Sequence, residues 1–517
     1  MPRLLLAPAF LLPVFLLPIL HATPTLDALF PAGGRIGQHV EVTAVGEFQS
    51  WPVEAWTDHP DLIIEPTEKK GRFRFTLAKG AEPRPALVRL LDANGSSAAK
   101  PFVLSTTAET REAEPNDHRT KAQDLNATLD PKHDLILNGI LKKGDTDFLR
   151  IHLDKGQNLH ARLHAYALGS LIDPFLRLFS PNGQPIALAS DSHNLDPVLL
   201  HRADVSGVHY LQLFAVSHPA ATSVAFAGSD SSVYRLHLSL RPTKPVSITA
   251  DERENALPEQ NGSRLLPEPP VSIAATLAEA GETDSYLLPA KKGKTYLVSI
   301  EAQRLQLPTD PVLTVHRTSG ALLKETDDST RNRFDADYSL KAPTDGLHIL
   351  TVRDRFLRGG PAHRYRLSVT LPNPDLLVTI DKAEHVLEAN GTTQLKLKLD
   401  RKHGHARPLR FEIRPPLPIG LTLEDANASA SAKTATLTLR ASLNTQPLHH
   451  PFRLHLLALD EDNVTKETDL GPVSHSYLTS QARGDYLVNQ TTQLHLTVKL
   501  PPPPKKPEEE EEDEVED

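Results

Sequence analysis

The chain of 517 residues is long enough for three or four domains of ordinary size, each with its own hydrophobic core. It has no cysteine, which excludes disulfide bonds, thiolate metal sites and lipid attachment to cysteine. Nine acids and two lysines at the C-terminus carry −7 of the net charge of −9, so the remainder carries −2 and offers no broad basic face to nucleic acid.

Residues 1–22 are predicted to form a signal peptide for export. Arg3 supplies a positive charge ahead of the apolar run 4–20, and we expect cleavage near Ala22. The alternative is a retained membrane anchor, although the run is short for a span and is interrupted by three prolines, Pro8, Pro13 and Pro18. No other stretch is apolar enough to cross a bilayer, so we expect no membrane span after cleavage.

Residues 23–110 are predicted to form an N-terminal β-sandwich. The segments 39–45 and 72–77 place apolar side chains at every second position, as half-buried strands do. Glycine and Asp-Ala-Asn-Gly turn signals separate such segments. The chain contains 44 prolines and few helix-period runs, which favours short strands joined by turns throughout.

Residues 111–241 open on an acidic cluster, Glu112-Ala113-Glu114-Pro115-Asn116-Asp117. Three carboxylates and one amide fall within six residues here, and clustered oxygen atoms are the ligands that calcium prefers. The cluster predicts a calcium-type site or a structural clasp at a domain junction. The alternative is an ordinary acidic linker in which Asn116 and Asp117 cap a turn, and the residues themselves do not decide between the two.

The turn motifs of residues 111–241 recur in residues 270–372. Four of them have counterparts 137 residues later: Gly144 to Asp147, Lys155-Gly156, Asp173-Pro174 and Asn182-Gly183. A constant offset across four separate motifs indicates a tandem duplication of one β-domain.

The order of these motifs resembles that of a known bacterial family, the pre-peptidase C-terminal (PPC) domain. The resemblance is carried by Glu-Pro-Asn-Asp (114–117), Gly-Asp-x-Asp-Phe (144–148), Lys-Gly-Gln (155–157), Asp-Pro-x-Leu (173–176) and Gly-x-x-Tyr (207–210). It implies a jelly-roll-like β-sandwich in a secreted bacterial protein, often beside a protease, with a more distant similarity to the collagen-binding domains of bacterial collagenases. Residues 111–241 match the pattern more closely than residues 270–372.

In those collagen-binding domains, an acidic linker and an aspartate-rich turn ligate calcium. The resemblance therefore implies that Ca²⁺ is bound by six residues, Glu112, Glu114, Asn116, Asp117, Asp145 and Asp147. The second segment has Pro267-Glu268-Pro269-Pro270 ahead of its turn instead of Glu-Pro-Asn-Asp, but it keeps Glu282 and Asp284. Any site there is expected to be weaker or absent.

The remaining segments complete a predicted all-β fold of serial β-sandwich modules, jelly-roll-like and immunoglobulin-like. Residues 242–269 are rich in Pro, Glu, Asn and Ser and are predicted to be a linker. Residues 373–500 alternate again and predict a C-terminal immunoglobulin-like sandwich. Residues 501–517, proline-rich and then acidic, are predicted to be a disordered tail.

No enzyme is predicted from this sequence. It contains no His-Glu-x-x-His, no Gly-x-Ser-x-Gly, no phosphate-binding P-loop and no Rossmann glycine motif. We expect a non-catalytic binding or adhesion protein that is periplasmic, cell-surface or secreted, and that binds polysaccharide or an extracellular or envelope protein. Two alternatives stay open: a hydrolase or protease-associated chain with an unrecognised active site, and a structural spacer in an envelope assembly.

Overall fold

The computed structural model describes residues 23–499, except 191, 193–194, 218–224, 242–247, 306, 318, 330–333, 460–466 and 480–485. The predicted signal peptide and acidic tail therefore lie outside the described residues. The described part contains 42 strands, four 3-10 helices and no α-helix, which confirms the all-β prediction. None of the helices in this part is long and apolar enough to cross a membrane. The strands fall into four units, numbered 1 to 4, each with two sheets around one core.

Unit 1 has nine strands: β1 (Ala28–Phe30), β2 (Gly33–Arg35), β3 (His39–Val45), β4 (Glu54–Thr57), β5 (Leu62–Pro66), β6 (Arg72–Leu77), β7 (Pro85–Asp92), β8 (Gly95–Ser96) and β9 (Lys100–Ser105). One sheet has the order β1-β3-β6-β5 and the other β2-β9-β7-β4, with β8 paired to β7. Phe73, Phe75 and Phe102 are fully buried between them. The predicted strands 39–45 and 72–77 are β3 and β6.

Unit 2 has ten strands: β10 (Ala108–Arg111), β11 (Gln123–Asp124), β12 (Leu135–Ile140), β13 (Thr146–Leu153), β14 (Asn158–His164), β15 (Ile172–Phe179), β16 (Pro185–Ala189), β17 (Val198–Arg202), β18 (Gly207–Ser217) and β19 (Val233–Ser239). The sheet orders are β10-β12-β19-β14-β17 and β11-β13-β18-β15-β16. The residues of its core come from alternate positions along the strands, and they include fully buried leucines from both sheets. Two 3-10 helices, Arg119–Lys121 and Tyr166–Leu168, lie in its loops.

Unit 3 has eleven strands: β20 (Glu252–Arg253), β21 (Glu259–Gln260), β22 (Ser263–Leu265), β23 (Val271–Thr276), β24 (Thr283–Ala290), β25 (Thr295–Glu301), β26 (Pro311–His316), β27 (Leu322–Thr326), β28 (Ala336–Lys341), β29 (Gly346–Asp354) and β30 (Arg364–Thr370). The sheet orders are β20-β23-β30-β25-β28 and β21-β22-β24-β29-β26-β27. Apart from β21, each strand has a counterpart at the same place in unit 2. The 3-10 helices here are Glu254–Ala256 and Gln303–Leu305.

Part of the predicted linker 242–269 is built into the sheets of unit 3. β20 pairs in parallel with β23, and β22 pairs in parallel with β24. Likewise β10, which straddles the predicted boundary at 110/111, pairs in parallel with β12 of unit 2. These edge strands have two to four residues, too few to show an alternating pattern, and the linker prediction for residues 252–265 is therefore wrong.

Unit 4 has twelve strands: β31 (Asp375–Ile380), β32 (Glu384–Glu388), β33 (Thr392–Lys402), β34 (Leu409–Arg414), β35 (Leu421–Glu424), β36 (Asn427–Ala428), β37 (Thr434–Ala441), β38 (Leu448–Leu459), β39 (Glu467–Pro472), β40 (Ser474–Thr479), β41 (Tyr486–Thr491) and β42 (Leu494–Lys499). The sheet orders are β35-β37-β33-β31-β40-β41 and β32-β42-β38-β34-β36, with β39 paired to β38. Twenty-four buried apolar residues from both sheets form its core.

Unit 1 contacts two of the other units. Arg235 of unit 2 pairs with Glu109 of the same unit at 2.8 Å. Its guanidinium also packs against Gly33 of unit 1, so closely that a Cβ on Gly33 would lie 2.1 Å from Arg235 Nη1. On another face, the fully buried Arg89 pairs with Glu384 of unit 4. The four units therefore do not form a linear array in which only consecutive units touch, because the first unit contacts the last directly.

Candidate metal centre

The predicted carboxylates meet where the chain passes from unit 1 into unit 2. Glu112 directly follows β10 and extends its pairing with β12, since its N–H donates to the Asn138 carbonyl at 2.9 Å. Its Oε1 accepts a hydrogen bond from the Ile140 N–H at 2.7 Å. Asp147 lies on β13 in the other sheet and is fully buried. The two side chains thus approach each other from the two sheets of unit 2.

A tyrosine lies between these two carboxylates. The Tyr234 hydroxyl is 2.6 Å from Asp147 Oδ2 and 2.9 Å from Glu112 Oε2. Tyr234 is on β19, directly opposite Gly139 of β12. A Cβ at Gly139 would lie 2.2 Å from Glu112 Oε2 and 2.3 Å from the Tyr234 hydroxyl, so the three side chains can converge only over a glycine.

The loop 114–117 brings further oxygen atoms to the same place. The Asn116 N–H donates to Glu114 Oε2 at 2.9 Å, and the Asn116 carbonyl accepts from the Phe148 N–H at 3.0 Å. This second bond anchors the loop to β13 beside Asp147. Asp145, in the turn before β13, is held by the Thr146 and Lys142 N–H groups.

Five of the six predicted ligands are brought together in two overlapping groups that could hold a metal ion. The first group is Glu112, Glu114 and Asp147, and the second is Glu114, Asp117 and Asp145. In each group the candidate ligand oxygens lie within 4.8 Å of one another. Glu114 belongs to both.

Two buried side chains in this region carry polar atoms without a protein partner. Asn116 is fully buried, and neither Oδ1 nor Nδ2 has a hydrogen-bond partner among the described residues. Asp147 Oδ1 is also buried and likewise has no hydrogen-bond partner in the described part of the chain. A buried polar atom left without a partner costs about 1–3 kcal/mol, and a bound cation would satisfy the Asp147 oxygen. The donor set therefore fits a cation.

The electrostatics of the cluster also call for positive charge. Burial raises the pKa of Glu112 to about 7, and the pKa of Asp147 to about 9, with the Glu112 charge adding to the second shift. Burial likewise raises the pKa of Asp145. Tyr234 has a single hydroxyl proton and can donate to only one of its two carboxylate neighbours at a time. The second carboxylate needs either a proton of its own or a cation.

The chemistry of the donors points to a hard cation. The two groups consist of carboxylate oxygens alone, and such ligands select Ca²⁺, Mg²⁺ or Mn²⁺ over the softer metals that prefer imidazole or thiolate. Sequence reasoning missed Tyr234 and Gly139. The Tyr-Arg-Leu of residues 234–236 recurs at 365–367, but the position of Tyr234 beside the acids follows only from the pairing of β12 with β19.

No family model matches the chain, and no curated protein matches it either. Solved structures do match. One is the pre-peptidase C-terminal domain of a collagenase from Bacillus anthracis, at 17% identity and a TM-score of 0.17, covering 22% of this chain and all of that one.

Two other matching structures are assemblies of β-domains. The fibronectin(III)-like modules of Clostridium thermocellum CbhA match at 9% identity and a TM-score of 0.13, covering 41% of this chain and 87% of that one. The four N-terminal Ig domains of Dscam1 match at 9% identity and a TM-score of 0.19, covering 93% and 98%. Matches at these TM-scores carry no argument about this chain, and membership of the PPC family stays a prediction.

Proposed function

We propose that this chain is a non-catalytic, exported binding protein of the PPC type, in which a calcium ion stabilises the junction of units 1 and 2. The observation that carries the proposal is the convergence of five carboxylates in two groups that share Glu114, two of which compete for one phenol proton. Calcium accepts several carboxylate and carbonyl oxygens in flexible geometry, and its two charges would offset the repulsion between the buried acids. Mg²⁺ demands stricter octahedral geometry and fits a dense carboxylate cluster less well.

A cation here would act on the attachment of unit 1 through β10. Glu112 is the residue after β10, and the same strand carries two side chains that reach unit 1. Glu109 pairs with Arg235 at a point where Arg235 packs against Gly33, and the Arg111 guanidinium lies 5.6 Å from the Phe30 ring centre. Fixing Glu112 therefore fixes β10 and supports these contacts, which position unit 1 on unit 2.

The proposed partner is a polysaccharide or an extracellular protein. Support for a protein partner comes from the edge strand β16 of unit 2, where Ile186 and Leu188 are exposed by 41% and 59%. An exposed apolar edge strand can pair with an extended segment of another chain. Several binding units in one chain would add avidity to weak individual contacts.

Calorimetry of the full chain tests the calcium proposal. We expect millimolar calcium to raise the melting temperature of the wild-type chain relative to chelator, and native mass spectrometry to detect bound calcium. Asp147→Asn should abolish both effects because it removes the most buried carboxylate of the site. Asp154→Asn, which alters an exposed carboxylate of the same unit, is the matched control and should leave them intact. A wild-type chain with no calcium response and no bound metal would sink the proposal.

A binding screen tests the partner. The calcium-loaded chain would be applied to arrays of glycans and matrix proteins, and we expect a hit that weakens when Ile186 and Leu188 are both replaced by threonine if the partner is a protein. A glycan hit that survives this replacement would identify polysaccharide as the partner. The absence of any binding signal on either array would contradict the binding function and favour a structural spacer.

A further inference from the structure

Unit 3 contains a counterpart of the acidic site at a place that the spacing of the turn motifs does not reveal. β20 runs parallel to β23 as β10 runs parallel to β12, and the residue after β20 is Glu254. Glu254 Oε1 accepts from the Thr276 N–H at 3.0 Å, as Glu112 Oε1 accepts from the Ile140 N–H at 2.7 Å. Glu254 is therefore the structural equivalent of Glu112.

The second carboxylate of the site also has an equivalent. Asp284 on β24 is 3% exposed, and the Tyr365 hydroxyl donates to its Oδ2 at 2.7 Å. This reproduces the bond of 2.6 Å between Tyr234 and Asp147 in unit 2. Both units thus bury a glutamate and an aspartate near the same strand end, each aspartate held by a tyrosine.

The two units differ at a neighbouring strand position. In unit 3, Arg264 of β22 lies opposite Tyr286 of β24 in the parallel register. In unit 2 the same position of β11, opposite Leu149, is occupied by Gln123. An arginine therefore stands in unit 3 where unit 2 has a neutral side chain.

The Arg264 guanidinium lies between the two carboxylates of unit 3. Its Nη1 is 3.3 Å from Asp284 Oδ1, and its Nη2 is 3.8 Å from Glu254 Oε2. The arginine side chain is 32% exposed, whereas those of Asp284 and Glu254 are 3% and 18% exposed, so a partly solvated cation compensates two more deeply buried acids. Arginine keeps its charge under all ordinary conditions, which suits it to a permanent role of this kind.

We propose that Arg264 is a built-in cation that takes, in unit 3, the place of the ion bound by unit 2, so that unit 3 is stable without metal. The comparison with an ion rests on the proposed function of unit 2, while the compensation of Glu254 and Asp284 by Arg264 does not. The duplicated module then exists in two forms. One form depends on calcium in the surroundings, and the other carries its own positive charge.

The test uses the full chain carrying Asp147→Asn, so that the calcium response of unit 2 is removed. Adding Arg264→Gln should lower the melting temperature of unit 3 in chelator by about 5 °C, because two buried acids lose their counter-charge. Millimolar calcium should restore at least half of this loss, and terbium luminescence should report one additional bound ion per chain. The parent variant should show neither effect.

Three further variants decide whether charge is the cause. Arg264→Lys should retain most of the stability, and Arg317→Gln, an exposed arginine of the same unit, should cost nothing measurable. Removing one acid by Glu254→Gln in the Arg264→Gln background should recover stability in chelator. The inference is overturned if Arg264→Gln behaves like Arg317→Gln, if Glu254→Gln gives no recovery, or if calcium has no effect on the Arg264→Gln variant.

The two proposals fail in different ways. A wild-type chain without a calcium response contradicts the function proposed for unit 2. Arg264 can still be tested in that case, because Arg264→Gln is compared in chelator with and without Glu254→Gln. If unit 2 responds normally to calcium but Arg264→Gln does not lower the melting temperature in chelator, only the inference for unit 3 is contradicted.

Discussion

At the scale of single residues, the site depends on one proton shared between two acids. The Tyr234 hydroxyl lies within hydrogen-bond distance of both Asp147 and Glu112, and it can donate to one of them. Burial raises the pKa of both carboxyl groups, which means that their ionised forms are poorly stabilised by the protein alone. A cation and the phenol therefore perform the same task for Asp147.

Tyr234→Phe tests this overlap of roles. Without the hydroxyl, Asp147 loses its donor, and we expect a loss of about 1–3 kcal/mol in the stability of unit 2 in chelator. With calcium the loss should be smaller, because the ion still contacts Asp147. Calorimetry of the variant with and without calcium makes the comparison, and Tyr210→Phe, a half-buried tyrosine of the same unit, is the control. Equal losses in both conditions would contradict a shared role.

At the scale of strands, β12 and its counterpart β23 differ at the residue opposite the site tyrosine. Gly139 faces Tyr234, whereas Ala275 faces Tyr365. The space over Gly139 is filled by the Glu112 carboxylate and the Tyr234 hydroxyl, which leaves no room for a methyl group. The glycine of β12 is thus required by the convergence of side chains in unit 2.

Gly139→Ala should accordingly destabilise unit 2 and abolish its calcium response. The added methyl would overlap two side chains of the site, and overpacking of this kind costs about 1–3 kcal/mol. The reverse change in unit 3, Ala275→Gly, should cost about 1 kcal/mol or less and leave the response unchanged. Melting curves with and without calcium measure both. A Gly139→Ala chain that still responds to calcium would show that the site tolerates the methyl group.

Strands with a regular alternation could be predicted from the sequence, and short edge strands could not. The predicted segments 39–45 and 72–77 coincide with β3 and β6. The carboxylates 112–117 were found because they are adjacent in the chain. Glu254 was not found, because the spacing ahead of the second copy is different. The equivalent positions Gln123 and Gly139 of unit 2 are five residues further apart than Arg264 and Ala275 of unit 3, so the constant offset does not lead to Glu254. Parallel pairing of two-residue strands leaves no periodic pattern to detect.

At the scale of the whole molecule, units 1 and 4 make a direct contact built around a buried arginine. Arg89 of β7 is fully buried, pairs with Glu384 of β32 and donates to the Gln493 carbonyl at 3.3 Å. Nearby, the Trp56 and His495 rings lie 6.2 Å apart. Separating the units would expose this charge to water, whereas removing Glu384 would leave it buried with no acidic partner in this contact and with neutral acceptors such as the Ser97 and Gln493 carbonyls.

Glu384→Gln should therefore weaken the contact between units 1 and 4. Leaving a buried charge without its partner costs about 3–5 kcal/mol, and because Glu384 is itself 24% exposed we expect the low end of that range. Small-angle scattering should report a larger radius of gyration. Glu388→Gln, on the same strand but in an exposed pair with Lys499, should leave the radius unchanged. An unchanged radius for both variants would contradict the role given to Glu384.

The same contact should open in acid because His495 is buried beside positive groups. Burial first, and then Arg89, His449 and His450, lower the pKa of His495 from 6.5 to about 3. A depressed histidine pKa stabilises the folded contact above pH 6.5, and this stability is lost as the pH falls from 6.5 toward 3. Scattering between pH 7 and pH 4 should show expansion, and His495→Gln should flatten this dependence, whereas the exposed His152→Gln should not.

The contact between the first and last units also sets the path of mechanical load. A tension applied between Thr25 in unit 1 and Lys499 in unit 4 would load the Arg89–Glu384 contact first. Unit 4 also contacts the 3-10 helix Tyr166–Leu168 of unit 2, so unit 3 would carry none of the tension until the contacts of unit 4 with units 1 and 2 have both parted. We expect optical-tweezer traces to show an early, small opening followed by a long extension as unit 3 enters the line of force. Unit 3 therefore stays unloaded as long as the first and last units remain in contact.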